Sequence, residues 1–187
     1  MLTRAGVELD VVPADIDERP RANEPAIDYA VRVAGEKADL VAGLHDDAWV
    51  LAADTVVIVD GEILGKAEDA ADAARMLARL QGRTHSVTTA VWLLGPGAAE
   101  GRVRESLVVS TEVVMTALDA ATVRTYVATG EWRGKAGAYA AQGLAAAFIT
   151  ELRGSYTNVV GLPLAEVLLL LARTGAPGAD FARGTAA

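Results

Sequence analysis

The sequence contains no cysteine and only two histidines, and these absences exclude several kinds of site. Without cysteine there are no disulfides, no zinc sites built on thiolates and no cysteine nucleophile. His45 and His85 lie far apart in the sequence and lack the short spacing of a metal-binding histidine pair.

Long apolar runs are also absent. The most apolar stretch, residues 159–172, is too short to span a bilayer and is interrupted by Pro163 and Glu166. The opening residues, MLTRAGVELD, contain no apolar core of the kind found in a signal peptide. We therefore expect a cytoplasmic protein with no membrane partner.

The composition is that of a folded chain with an acidic balance. Of 187 residues, 52% are hydrophobic and 22% are charged, which suits one domain or two small lobes. The net charge of -8 argues against binding to a nucleic-acid polymer, which normally needs a basic surface. A small anion remains compatible, because a few local lysines reverse the potential in a cleft and acidic residues there suit a divalent cation.

Hydrophobic patterns predict strands and helices interspersed along the chain. Residues 49–59 form the clearest predicted strand, and because they are apolar except at Asp54 and Thr55 we expect burial on both faces. Asp60-Gly61 predicts a hairpin turn directly after it. Further strands are predicted at 7–12, 85–94, 103–115 and 145–152, and helices at 25–37, 69–80, 120–129 and 163–172. This order predicts an α/β or α+β chain with a mixed sheet.

Asp54 is the most informative polar residue. A carboxylate inside an apolar strand is costly unless it is paired, protonated or bound to a cation. Spacing alone leaves two interpretations equally open, a functional carboxylate and a structural aspartate that caps a neighbouring loop.

Three further polar residues are candidates for binding an anion or a nucleobase. Lys66 and Lys135 each follow a glycine, so that an ammonium and a bare backbone approach the same anion. The amide of Gln142 carries a donor and an acceptor, which suits a nucleobase edge. Local sequence alone favours exposed loop positions for the two lysines and an amide bonded to loop backbone for Gln142. The Walker phosphate-loop pattern is absent. His85 is expected to pack or hydrogen-bond rather than to act as a catalytic base.

Five blocks, taken in order, resemble the signature of the Maf family. They are Ala53-Asp54-Thr55-Val56-Val57, Gly61 to Lys66, Met76-Leu77 with Leu80 and Gly82, Lys135 to Tyr139 with Gln142-Gly143, and Gly154-Ser155-Tyr156 to Pro163. The resemblance runs over about residues 2–171. It implies an α/β fold similar to the inosine triphosphate pyrophosphatases, with a twisted mixed sheet and flanking helices in two lobes around a central cleft. We expect one domain over residues 1–175 and a flexible tail over residues 176–187.

The resemblance also implies hydrolysis of a nucleoside triphosphate to the monophosphate and pyrophosphate. The family's proposed proton acceptor corresponds to Asp54, which would also bind Mg²⁺ or Mn²⁺ together with Glu18. Lys66 and Lys135 would assist catalysis by neutralising charge on the phosphate chain, and Lys37 would bind the same chain. A homodimer is implied in the same way.

Two positions resemble one branch of the family. Thr55 after the aspartate and Gln142 in the later loop are similar to the branch that hydrolyses dTTP and UTP. The branch for 7-methyl-GTP carries glutamine and glutamate there. A neutral amide suits uracil or thymine, whereas a carboxylate suits a cationic methylated guanine.

The chain departs from the family at its start. Residues 1–7 resemble the end of the family's first helix, so that the preceding strand and a Ser-x-Ser-Pro-Arg-Arg loop are missing. Because loss of a central strand would expose a sheet edge, a longer native chain is favoured over a truncated enzyme. Ala67 stands where the family usually has proline.

Two other functions remain open. One is a non-catalytic nucleotide-binding regulator of cell division, which the missing loop motivates. The other is a pyrophosphatase for modified or non-canonical nucleotides, which would differ only in the base pocket.

Overall fold

The computed structural model describes residues 1–97 and 101–178, and within this part the chain forms one five-stranded sheet. The strands are β1 (Val50–Val59), β2 (Glu62–Leu64), β3 (Thr84–Leu94), β4 (Arg104–Met115) and β5 (Ile149–Arg153). Their order in the sheet is β2-β1-β3-β4-β5. β1 is antiparallel to β2, and β4 is antiparallel to β5.

Helices are interspersed with these strands along the chain. They are α1 (Ala26–Leu44), α2 (Ala70–Leu80), α3 (Ala120–Thr129), α4 (Tyr156–Val160) and α5 (Leu164–Thr174), with short 3₁₀ turns at Leu2–Ala5 and Leu144–Phe148. Among the described residues, no helix combines the length and the apolarity that a bilayer span requires. The predicted α/β class, one sheet accompanied by helices, is confirmed.

Three predicted elements differ from the structure. The predicted strand at residues 7–12 is wrong, because this segment pairs with none of the described strands, and Leu9, Val11 and Val12 are exposed. The predicted strand at residues 145–152 begins later, since its alanine-rich start forms a 3₁₀ turn and only Ile149–Arg153 pairs with β4. The first helix continues past the predicted end to Leu44.

Helices α2 and α3 begin at aspartates that cap their first turns. The carboxylate of Asp69 accepts a hydrogen bond from the backbone N–H of Asp72 at 2.7 Å. Asp119 accepts one from the N–H of Thr122, also at 2.7 Å. Each bond satisfies a backbone donor that a helix start would otherwise leave without a partner. The apolar face of α2 packs inward, because Ala73, Leu77 and Leu80 are fully buried.

The chain divides into two compact units, each with a core of its own. Unit 1 comprises the described residues of the ranges 1–54, 90–108 and 162–187, and unit 2 comprises residues 55–89 and 109–161. The core of unit 1 includes Val91, Leu93, Val167, Leu170 and Leu171. The core of unit 2 includes Val57, Leu77, Leu80, Val113 and Met115. Ala176, at the start of the predicted tail, is buried, and residues 179–187 lie outside the described residues.

Strand β1 is buried unevenly along its length. Val56, Val57 and Val59 are buried as predicted, but residues 51–55 are only half-buried, so the prediction of burial on both faces is wrong for them. β2 is three residues long and pairs only with residues 57–59. In unit 1 a cavity of about 790 Å³ lies beside residues 49–53, which accounts for the partial exposure of residues 51–53.

Candidate active site

Asp54 lies midway along β1 and forms an ionic group with Lys37 and Glu18. The Lys37 ammonium donates to Asp54 Oδ1 at 2.8 Å and lies 2.7 Å from Glu18 Oε1. The side chains of Asp54 and Lys37 are only 12% and 18% exposed, so their attraction is weakly screened. The three residues come from a loop, a helix and a strand, and the folding of unit 1 brings them together.

Burial of Lys37 opposes its positive charge, but the two carboxylates outweigh that effect. Hydrogen bonds to Asp54 and Glu18, with the negative charge of both, raise the pKa of Lys37 above its ordinary value. The ammonium is therefore charged at neutral pH and keeps two carboxylates close to each other. A cation able to attract an anion and two possible cation ligands thus occupy the same small volume.

The loop that carries Glu18 is tied to α1 by residues that the sequence did not single out. The hydroxyl of Tyr29 donates to the backbone carbonyl of Glu18 at 2.7 Å. Arg32 forms an ion pair with Glu24 at 2.6 Å, and both of these side chains are largely buried. Tyr29 and Lys37 are eight positions apart and share one face of α1, which is the sequence signal for this arrangement.

In unit 2 the segments that carry Lys66 and Lys135 lie side by side. Lys66 forms an isolated antiparallel bridge with Ala136, the residue after Lys135. The N–H of Gly137 bonds the carbonyls of Leu64 and Gly65 at 3.2 and 3.0 Å. Both lysine side chains are exposed, so two ammonium groups stand on neighbouring segments.

Gly137 allows this close approach. Its φ is +67°, which favours glycine, and a Cβ there would come within 3.0 Å of the Val57 side chain. The glycine that the sequence places after Lys135 is therefore required by contact with β1.

The two residues expected to recognise the base also lie in unit 2. Thr55 Oγ1 is 2.9 Å from Thr89 Oγ1 and donates to the Gly161 carbonyl at 3.3 Å. Gln142 is exposed in the turn before the second 3₁₀ segment. Thr55 is thus held by the fold, whereas the Gln142 side chain is accessible to a ligand.

Most of the chain matches one known protein family. Residues 1–174 match the model of the family described as Maf-like protein. The chain belongs to the Maf-like protein family. It is 51% identical over 177 residues to a dTTP/UTP pyrophosphatase of Anaeromyxobacter dehalogenans (strain 2CP-1), a match covering 95% of this chain and 89% of the relative.

Other relatives of this Maf-like chain have the same name. A dTTP/UTP pyrophosphatase of Myxococcus xanthus is 48% identical over 177 residues, covering 95% of this chain and 87% of the relative. A dTTP/UTP pyrophosphatase of Rhodospirillum rubrum is 51% identical over 182 residues, which cover 96% of this chain and 85% of the relative. The family predicted from the ordered blocks is therefore confirmed.

The carboxylates of the Maf-like site fit a divalent cation in part. Asp54 and Glu18 offer two oxygen donors, and magnesium commonly binds one or two carboxylates while substrate phosphates complete its shell. In the described residues, 1–97 and 101–178, no group of three or more histidine or acidic side chains is placed to hold a metal. The donor set therefore suits a cation that arrives with a triphosphate better than a resident ion.

Proposed function

We propose that this Maf-like chain is a dTTP/UTP pyrophosphatase that releases the monophosphate and pyrophosphate. One observation carries the proposal: Lys37 joins Asp54 and Glu18 at 2.8 and 2.7 Å in a chain about half identical to relatives of that name. Anhydride hydrolysis needs an activated water and neutralised phosphate charge. A half-buried carboxylate beside a charged lysine supplies a group for each requirement.

Asp54 is the proposed proton acceptor. Its carboxylate accepts a hydrogen bond from the Lys37 ammonium, and it can orient a water and take its proton as the water attacks the α-phosphorus. Partial exposure leaves one side of this residue open to water and substrate. The proton moves from the attacking water to a carboxylate oxygen, and pyrophosphate is the leaving group.

Asp54 and Glu18 would also hold Mg²⁺ or Mn²⁺. When bound, such a cation neutralises phosphate charge and helps to orient the water. Lys37 fixes the separation of the two carboxylates, and its own charge attracts the polyphosphate.

Lys66 and Lys135 are the proposed phosphate-binding pair. Their segments are joined by the bridge between Lys66 and Ala136, so the two charges approach an anion from neighbouring backbones. Preorganised cations stabilise charge that develops on a departing pyrophosphate more effectively than mobile ones. Both side chains are exposed and able to reach a ligand.

Gln142 is the proposed base-recognition residue, and Thr55 belongs to the same unit. Its amide offers one donor and one acceptor, and the edges of uracil and thymine present the matching pair. A substrate panel of dTTP, UTP, 7-methyl-GTP and ITP separates this proposal from a pyrophosphatase for modified nucleotides. The cytoplasmic location and the homodimer expected from the sequence are further proposals.

The decisive variant is Asp54→Asn, which retains size and removes the proton-accepting charge. We expect pyrophosphate release from dTTP and UTP to fall by about 100-fold or more, because general-base catalysis contributes on this order. The assay measures pyrophosphate at saturating Mg²⁺ and again at saturating Mn²⁺.

Asp39→Asn is the matched control, since Asp39 is an exposed carboxylate paired with Arg104. It should retain the parental rate. Equal activity of the Asp54→Asn variant and the parent would remove Asp54 from the mechanism. Nucleotide binding by the parent without any turnover would instead support the alternative function, a non-catalytic nucleotide-binding regulator of cell division.

A further inference from the structure

The segment between Lys135 and Gln142 is buried, although it has no regular secondary structure. Residues 137–141 are all buried, whereas the candidate substrate-binding side chains at both ends are exposed. A buried irregular segment must find partners for its backbone groups. One partner is the hydroxyl of Tyr126, which accepts a hydrogen bond from the N–H of Ala140 at 3.1 Å.

A second anchor of the segment is the side chain of Tyr139. Its hydroxyl is 2.8 Å from Nε2 of His85 on β3, and the two rings meet edge to face with centroids 5.5 Å apart. Tyr139 and His85 are only 5% and 3% exposed. A hydrogen bond in such a dry environment is strong, and breaking it leaves a buried polar group without a partner.

His85 has the state that this contact requires. Burial lowers its pKa to about 4, so the ring is neutral at physiological pH. Within the described residues His85 Nδ1 has no hydrogen-bond partner, and the bond to Tyr139 is the polar contact that this ring makes. Burial also raises the pKa of Tyr139, which therefore stays protonated.

We propose that the buried His85–Tyr139 pair is a positioning device that holds the 135–142 segment so that Lys135 and Gln142 meet the nucleotide together. The inference rests on the proposed roles of those two residues. Three fixed points define the segment: Gly137 against Val57, Ala140 on Tyr126, and Tyr139 on His85. Gly137 is the point nearest to Lys135, Tyr139 lies in the middle of the segment, and Ala140 is the point nearest to Gln142.

This arrangement predicts a larger effect on substrate binding than on the chemical step, because Gln142 would contact only the base and Lys135 would already bind the phosphate charge of the bound nucleotide. Lys135 and Gln142 would contact the substrate at different points, so that a looser segment between them costs ordering free energy each time a nucleotide binds. KM should therefore change more than kcat.

Tyr139→Phe tests the proposal because it keeps the ring and removes the hydroxyl. We expect KM for dTTP and UTP to rise about 3- to 10-fold, the range that one buried hydrogen bond provides, with kcat changed less than about 2-fold. His85→Leu should raise KM by a similar factor, and His85→Gln, which restores a polar group near Nε2, should recover part of the loss. The double variant Tyr139→Phe with His85→Leu should be no worse than either single variant.

Thr88→Val is the matched control. Thr88 lies on the same strand as His85, is buried, and its hydroxyl is 2.8 Å from Ser110 Oγ, away from the segment. It should lower the melting temperature as Tyr139→Phe does while leaving KM unchanged. A KM for Tyr139→Phe that matches that of Thr88→Val would overturn the positioning role.

Hydrogen exchange separates this inference from the proposed function. The amides of residues 137–141 should exchange several-fold faster in the Tyr139→Phe variant than in the parent, and the amides of β5 should not change. If the parent hydrolyses no nucleotide, the proposed function fails. In that case unchanged exchange at residues 137–141 would also reject the positioning device, and faster local exchange would support it.

Discussion

At the scale of single residues, the charge of Lys37 controls the two carboxylates that it joins. Its pKa is raised above 10.5, so the free energy that its ion pairs contribute is fully present below that pH and is lost as pH rises through the folded value. Replacing Lys37 with methionine leaves Asp54 and Glu18 to repel each other. Protonation of one of them then becomes easier, and a higher pH is needed to ionise both.

We therefore expect the acidic limb of the pH–rate profile to move to higher pH in the Lys37→Met variant. The measurement is kcat/KM for dTTP across pH at saturating metal. Arg79→Met removes an exposed cation that pairs with Glu62 and serves as the control. An acidic limb that stays at the parental pH in Lys37→Met would show that this lysine does not govern the ionisation of the site.

At the scale of secondary structure, β1 combines a well-paired half and a half beside a cavity. Val57 and Val59 pair with β2, whereas no described strand pairs with Leu51 or Ala53 on that side. Successive amides point to opposite sides of a strand, so the odd-numbered amides share one side. The amides of Leu51 and Ala53 should exchange with solvent at least about 10-fold faster than those of Val57 and Val59. Equal protection across these four residues, measured by NMR, would contradict this interpretation.

At the scale of the whole molecule, buried His85 links stability to pH. Because its pKa is about 4 in the folded state and 6.5 ordinarily, the unfolded chain binds the proton more tightly. Its contribution to the free energy of unfolding is complete above pH 6.5 and is lost as pH falls towards 4. The loss at its limit is on the order of 3 kcal/mol.

Urea denaturation of the parent and of the His85→Gln variant measures the contribution of His85 to the free energy of unfolding. Other carboxylates titrate in both proteins, so the difference between their pH dependences isolates His85. We expect the free energy of unfolding to fall more in the parent than in the variant between about pH 7 and about pH 4.5. Parallel curves would show that the ring is protonated as easily when folded as when unfolded.

Local order could be predicted where it depends on neighbours in sequence. Helices α2 and α3, the turn at Asp60-Gly61 and the apolar face of α2 follow from caps and periodicity within a few residues. The strand predicted at residues 7–12 and the burial predicted for residues 51–55 of β1 were wrong, because a strand and its burial depend on partners that the segment itself does not specify.

By itself the sequence determined the family, the α/β class and the set of candidate residues, since these follow from residue types in a fixed order. Only the tertiary structure decided which of them meet. It joined Lys37 to Asp54 and Glu18. It also joined His85 to Tyr139, which lies 54 positions further along the chain. Such contacts depend on how distant segments pack, and no local pattern encodes which buried polar group will find which partner.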